Sequence, residues 1–145
     1  MRRKTRERKT KIFYKTPKKW FFIGYEYQNG DDKFQITRNE LKGLNEDDRT
    51  FLIQSIVYMK HLDIDNVKDH KSYESYHSIY PKLGRFRFEQ FRVYTYSICE
   101  KYFLILHIIK KKKDSLSQEI KEKIVKRAKF YENNLETDYR KRYCK

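Results

Sequence analysis

The sequence predicts an α+β fold: a small, twisted, antiparallel-rich sheet with two helices before its main hairpin and a C-terminal helix after it. Three observations predict this. Apolar residues recur at helical spacing over residues 45–62 and again over 115–135. From Leu83 the pattern changes to period two, Arg85 and Arg87 alternating with Phe86 and Phe88, and Arg92, Tyr94 and Tyr96 alternating with Phe91, Val93 and Thr95. Tyr102 to Ile109 is then a continuous apolar run, which suits a central strand covered on both faces along much of its length. At 145 residues the chain is most simply one domain with a core that needs neither disulfides nor a metal.

The elements follow in order. Residues 1–19, closed by Thr16-Pro17-Lys18-Lys19, read as a basic arm, with a solubilising terminus and a nucleic-acid contact as its two readings. The domain itself spans 20–134. It opens with an aromatic strand, Trp20 to Gln28, that ends in the turn Asn29-Gly30-Asp31-Asp32. Thr37 and Glu40 have capping-box spacing at the start of a short helix over 37–43, with Gly43 ending it. Asn45 is a suitable N-cap for a longer helix, and Glu46, Asp47 and Asp48 lie where the helix dipole favours negative charge. Its stripe of Leu52, Ile56 and Met59, flanked by Ile53 and Val57, is expected to pack on the sheet.

Residues 63–82 lose all periodicity and read as an irregular connector or a short helix. In one unbroken strand Arg85 and Arg87 would point away from Arg92, so a turn or bulge is expected near Glu89-Gln90. Residues 97–101 connect to the strand Tyr102–Ile109. Ser115 and Gln118 have capping-box spacing for the last helix, where Ile120, Ile124, Ala128, Tyr131 and Leu135 share one face. Lys121, Lys123, Lys126, Arg127 and Lys129 fill much of the rest of its circumference. Residues 135–145 read as a loosely held basic tail.

Charge is segregated along the chain. The net charge is +15, from 35 Lys and Arg against 20 Asp and Glu. Residues 1–19 hold ten basic residues and one acidic, residues 20–80 hold seven and eleven, and residues 81–145 hold eighteen and eight. An acidic block between two basic ones suggests one side that faces a polyanion and one that faces elsewhere. The two cysteines, Cys99 and Cys144, indicate neither a disulfide framework nor a CxxC knuckle. The start has the charge of a signal peptide without its apolar core, and no stretch approaches a transmembrane span, so the chain reads as cytosolic with no membrane partner. His61, His70 and His77 lack ligand spacing for zinc, and no metal or cofactor is expected. The absence of a Gly-rich phosphate loop, a GxSxG elbow and paired carboxylates leaves ATPase, hydrolase and glycosidase readings little support.

The informative stretch is residues 83–113, where arginines and aromatic rings share strands that run into four lysines. Phosphate binds the first and unpaired bases stack on the second, which favours single-stranded nucleic acid. Arg85 and Arg87 are candidates for tracking a nucleic-acid backbone, with a solvated edge as the alternative. Tyr94 and Tyr96, on one face with Arg92, are candidates for stacking on bases, with core packing as the alternative. The run Lys110, Lys111, Lys112 and Lys113 either addresses an anion or is a solvated strand end. Lys110 and Lys111 point to opposite faces, so only one can reach a phosphate held over a single face. His107 shares parity with Lys111. Its imidazole suits proton transfer near neutrality, although a lone histidine in an apolar strand is commonly a packed core residue.

Several signatures stand in one register: Glu40-Leu41, Leu44-Asn45-Glu46-Asp47-Asp48-Arg49, Lys82-Leu83-Gly84-Arg85-Phe86, Phe91-Arg92-Val93-Tyr94, Leu106-His107-Ile108-Ile109-Lys110-Lys111 and Arg127-Ala128-Lys129-Phe130-Tyr131. With the aromatic strand from Trp20, these resemble the RelE/ParE toxin superfamily, in particular its phage-related HigB-like branch, over about residues 20–134. The resemblance implies a toxin of a type II toxin-antitoxin pair, a ribosome-dependent endoribonuclease that cuts mRNA, with a helix-turn-helix antitoxin as its protein partner. It also implies roles. Arg92 matches the arginine of the family's aromatic-Arg-apolar-aromatic strand, and its guanidinium can grip two phosphate oxygens; an exposed arginine pairing across the sheet is the plainer reading. Lys110 and Lys111 match the family's paired lysines.

The arm before Trp20 is additional to the family pattern. The tyrosine that some RelE-type nucleases carry near the start of their last helix is missing after Lys113, which leaves the general base open. Two other readings stand beside the nuclease: a ParE-like toxin directed at DNA gyrase, and a non-catalytic nucleic-acid-binding protein of a mobile element.

Overall fold

Period-two alternation gives a sheet two unlike faces, and here each face carries its own pair of helices. The computed structural model describes residues 21–29, 32–61, 68, 70–99, 101–111 and 116–144. In chain order the elements are β1 (Phe21–Ile23), β2 (Glu26–Asn29), β3 (Asp32–Gln35), α1 (Ile36–Lys42), α2 (Glu46–Lys60), β4 (Tyr73–Ser75), β5 (Leu83–Phe88), β6 (Phe91–Cys99), β7 (Tyr102–Lys110), α3 (Gln118–Asn134) and α4 (Glu136–Tyr143). Five strands form one mixed sheet in the order β1-β7-β6-β5-β4, while β2 and β3 pair separately. Every pairing in the large sheet is antiparallel except that of β1 with β7.

One face of the sheet presents Phe86, Phe88, Phe91, Val93, Phe103, Ile105 and Ile108, and Leu52 and Met59 of α2 bury against them. The other presents Leu83, Tyr94, Tyr96, Ile98, Leu104 and Leu106 to Ile124, Ala128 and Tyr131 of α3 and to Tyr139 of α4. The strand β7, buried from Phe103 to Ile108, occupies the inner position that its apolar run predicts. Gly84 is required where it stands, because the ring of Tyr73 lies where a β-carbon would go. That contact locks β4 against β5 beside the register pair Ser75 and Gly84.

Several local expectations are corrected. The strand expected over Trp20–Gln28 breaks in two at Gly24-Tyr25. The backbone of Tyr25 turns to the start of α1 instead, its carbonyl accepting from the Ile36 amide at 2.9 Å and its own amide donating to Thr37 Oγ1 at 2.7 Å. The capping box expected at Thr37 and Glu40 therefore does not form, and the N-cap residue Gln35 makes no side-chain cap. The expected cap at Asn45 does form, its side chain accepting from the Asp48 amide at 2.8 Å. On α2, Ile53 and Val57 remain 43% and 48% exposed, and Ile56 is only partly buried.

The connector contains the short strand β4, and residues 62–67 and 69 lie outside the described residues. For α3 the cap is Ser117, which accepts from the Ile120 amide at 3.2 Å. Ser115 lies outside the described residues, as do Trp20 and the arm.

The largest correction concerns residues 135–145. Instead of a loose tail, residues 136–143 form α4, whose Tyr139 is 5% exposed and whose Arg140 Nη1 donates to the Ile98 carbonyl at 2.7 Å. A disulfide joins Cys144 to Cys99, where the sequence indicated no disulfide framework. Their separation of 45 residues gives no local signal of pairing, and only the return of α4 over the end of the β6–β7 hairpin brings them together.

Candidate functional site

A tight turn decides which side chains meet. The β5–β6 hairpin turns at Glu89-Gln90, with Glu89 at a φ of 54°, and pairs Arg87 with Arg92, Arg85 with Tyr94 and Leu83 with Tyr96. Residues directly opposite across a ladder share a face, so the turn places Arg85, Arg87, Arg92, Tyr94 and Tyr96 on one side of the sheet. The next ladder pairs Tyr94 with His107 and Arg92 with Ile109. On the far side of β5, Glu74 lies opposite Arg85. A polar row, Glu74, Arg85, Tyr94 and His107, thus crosses four strands of the sheet.

The members of the row differ in how far their hydrogen-bonding capacity is used. Arg85 is 8% exposed, makes an ion pair with Glu74 and lies 5.4 Å over the Tyr76 ring. Its Nε and the Tyr94 hydroxyl are buried with no hydrogen-bond partner among the described residues. Burial, and secondarily Tyr76, push the Tyr94 phenol up to about 12, while Arg85 and Arg92 pull in the other direction. The phenol is therefore neutral at physiological pH and can donate a proton or a hydrogen bond.

The remaining candidates spread over both faces. Arg92 is 4% exposed, and its Nη1 donates to the carbonyls of Glu89 at 2.6 Å and Phe91 at 3.1 Å, clasping its own turn. Arg87, its register partner, is exposed. Lys111 is half-buried on the same face, whereas Lys110 pairs with Asp48 of α2 at 2.9 Å and lies 6.0 Å over Phe91. Tyr96 is 1% exposed beneath α3, where its hydroxyl donates to Glu132 at 2.7 Å. Burial first, then that bond, raise its pKa. Lys112 and Lys113 lie outside the described residues.

The inner end of the row rests on two residues that the sequence placed in the quoted signatures but not in the site. Pairing of β1 with β7 stops at Leu104, so the outer edge of β7 beyond it needs other partners. Glu40 of α1 and Arg127 of α3 supply them. Glu40 Oε1 accepts from the Ile108 amide at 3.0 Å, and Arg127 Nη1 donates to the Leu106 carbonyl at 2.6 Å. The other carboxylate oxygen, Oε2, accepts from Arg127 Nη1 at 2.9 Å and lies 2.6 Å from His107 Nδ1.

Burial alone would raise the Glu40 pKa, but His107 and Arg127 together hold it below the ordinary carboxylate value. A carboxylate can only accept, so Nδ1 of His107 carries the proton. The Glu40–His107 contact spans 67 positions in the chain, and no local pattern could report it. Arg127 had one available sign, its place beside Ile124 and Ala128 on the inner side of α3.

Among the described residues no group of His, Cys, Asp and Glu could hold a metal ion, and no helix is long and apolar enough to cross a membrane. No protein-family model and no curated protein matches the chain.

Proposed function

We propose that this protein is the toxin of a type II toxin-antitoxin pair, a metal-independent endoribonuclease that cuts mRNA on the ribosome in the cytoplasm and is neutralised by a helix-turn-helix antitoxin. The observation that carries the reading is the polar row, with a cation, a neutral phenol and a carboxylate-bound imidazole on one sheet face. Adjacent strands lie about 4.8 Å apart, so Tyr94 stands roughly that far from Arg85 on one side and from His107 on the other.

In this reading Arg87 and Lys111, the more accessible cations of the face, draw in the RNA backbone. His107 takes the proton of a 2′-hydroxyl, whose oxygen attacks the adjacent phosphorus. The negative charge that builds on the non-bridging phosphate oxygens is met by the arginines, and the bond to the 5′-oxygen breaks as the imidazolium, or a water, returns a proton to that oxygen. The products are a 2′,3′-cyclic phosphate and a 5′-hydroxyl.

The test is incubation of the purified chain with translating ribosomes and a defined mRNA, with cuts mapped by primer extension. Cuts by wild type that a folded His107→Gln variant fails to make would support the reading, and an uncut message would remove it. One observation favours the non-catalytic alternative: Arg85, Arg92 and His107 all have partners within the fold. Retained RNA affinity with no cutting on ribosomes would decide for that reading.

A further inference from the structure

We propose that Glu40 is a positioning residue for proton transfer at His107: its carboxylate fixes the imidazole as the Nδ1–H tautomer, leaving Nε2 to exchange a proton with a substrate. This inference rests on the ribonuclease reading, and deepens it by assigning the state of the base.

The geometry separates two roles of the same carboxylate. Capping the open edge of β7 requires one acceptor, and Oε1 fills that role at the Ile108 amide. The second oxygen serves no backbone group, and its bonds run to His107 and to Arg127. Arg127 in turn is held by the Leu106 carbonyl. Arg127 Nη1 also stands 3.3 Å from Nδ1. Two donors cannot bond one another, so the proton on Nδ1 is directed to Glu40 alone. No described residue bonds Nε2, the atom left for chemistry.

The charged and titratable groups facing His107 are Glu40 from α1, Arg127 from α3 and Tyr94 from β6. Of these, Glu40 is the acceptor bonded to Nδ1, and burial keeps the Tyr94 phenol neutral.

A glutamine at position 40 would keep an amide oxygen for the Ile108 edge but would turn an NH2 group toward Nδ1. The tautomer should then reverse, Nδ1 accepting and Nε2 carrying the proton. A role confined to edge capping predicts no such change.

The experiment has two arms. Long-range ¹H–¹⁵N NMR on the full chain, without substrate, reads the His107 tautomer in wild type, Glu40→Gln and Arg127→Gln. Wild type should be Nδ1–H when neutral. Glu40→Gln should reverse the tautomer, whereas Arg127→Gln, which keeps the carboxylate, should not. Wild type alone keeps the inference testable if either variant folds poorly, since a neutral Nε2–H imidazole there would overturn it.

In the second arm, cleavage on translating ribosomes by Glu40→Gln should lose on the order of a hundredfold to ten-thousandfold in kcat, as when a catalytic histidine is held in the wrong tautomer. KM should change little. A folded Glu40→Gln protein with an unchanged tautomer would overturn the proposal and leave Glu40 an edge cap. Wild type that cuts no message would overturn the ribonuclease reading and proton transfer to RNA with it, while the NMR arm separately upholds or overturns the clamp.

Discussion

The Nη1 of Arg92 is bound to the Glu89 and Phe91 carbonyls, on either side of a turn whose Glu89 has a positive φ. Arg92→Ala should therefore loosen the hairpin that aligns the row, at about 1–3 kcal/mol and roughly 3–12 °C in Tm. Arg92→Lys should recover part of that, since an ammonium cannot reproduce the planar fork. A thermal melt of Arg92→Ala matching wild type would mean the clasp contributes nothing.

Glu40 makes a second measurable difference. Its pKa is depressed in the fold, so its contribution to stability is complete above the unfolded value near 4.5 and is lost as pH falls through the folded one. The urea midpoint of wild type should thus drop more steeply below about pH 5 than that of Glu40→Gln. Parallel curves would show that the cluster does not couple protonation to folding. At this scale the sequence indicated which residue types matter and misread their partners. Thr37 and Glu40 have the spacing of a cap, but a backbone amide at Tyr25 and an imidazole on β7 compete for the same side chains and win.

Elements were more legible than their ends. Period two in residues 83–96, together with the parity conflict between Arg87 and Arg92, was enough to place the β5–β6 turn, because a one-residue slip would reverse every side chain. The run Tyr102–Ile109 was enough to place a central strand. The aromatic segment from Trp20 misled because strand propensity does not register where a chain must leave a sheet, and Tyr25 leaves it to meet α1. On α2 the helical period was correct while the width of the buried stripe was not. Leu52 is fully buried and Met59 is 2% exposed, but Ile53 and Val57 face outward. Leu52→Ala should therefore cost about 2–4 kcal/mol, whereas Val57→Ala should stay within about 0.5 kcal/mol of wild type. Equal losses in denaturant titrations would mean that the helix is rotated from the face described above.

Across the whole molecule, the sheet separates two chemistries. Apolar rings and the acid-capped α2 occupy one face, and the arginine and histidine row with α3 and α4 occupies the other. The parallel pairing of β1 with β7 and the closure between Cys99 and Cys144 depend on contacts far apart in the chain.

The disulfide is the strongest such constraint. It encloses β7 and α3, and with them His107 and Arg127, in a loop closed across 45 residues. Closing a loop of that size removes unfolded-state entropy equivalent to about 4 kcal/mol. In a reducing cytoplasm that contribution is absent, since such thiols are kept reduced. The folded state should survive the loss, because Tyr139 still packs in the core and donates to the Glu26 carbonyl at 3.2 Å, and Arg140 still holds the Ile98 carbonyl. Reduction with excess dithiothreitol, or Cys144→Ser, should therefore lower Tm while leaving far-UV circular dichroism unchanged below the transition. Adding dithiothreitol to Cys144→Ser should lower it no further. A wild-type Tm indifferent to reductant would show that the bond does not form in solution, and a loss of helical signal on reduction would show that α4 is held by the bond rather than by its packing.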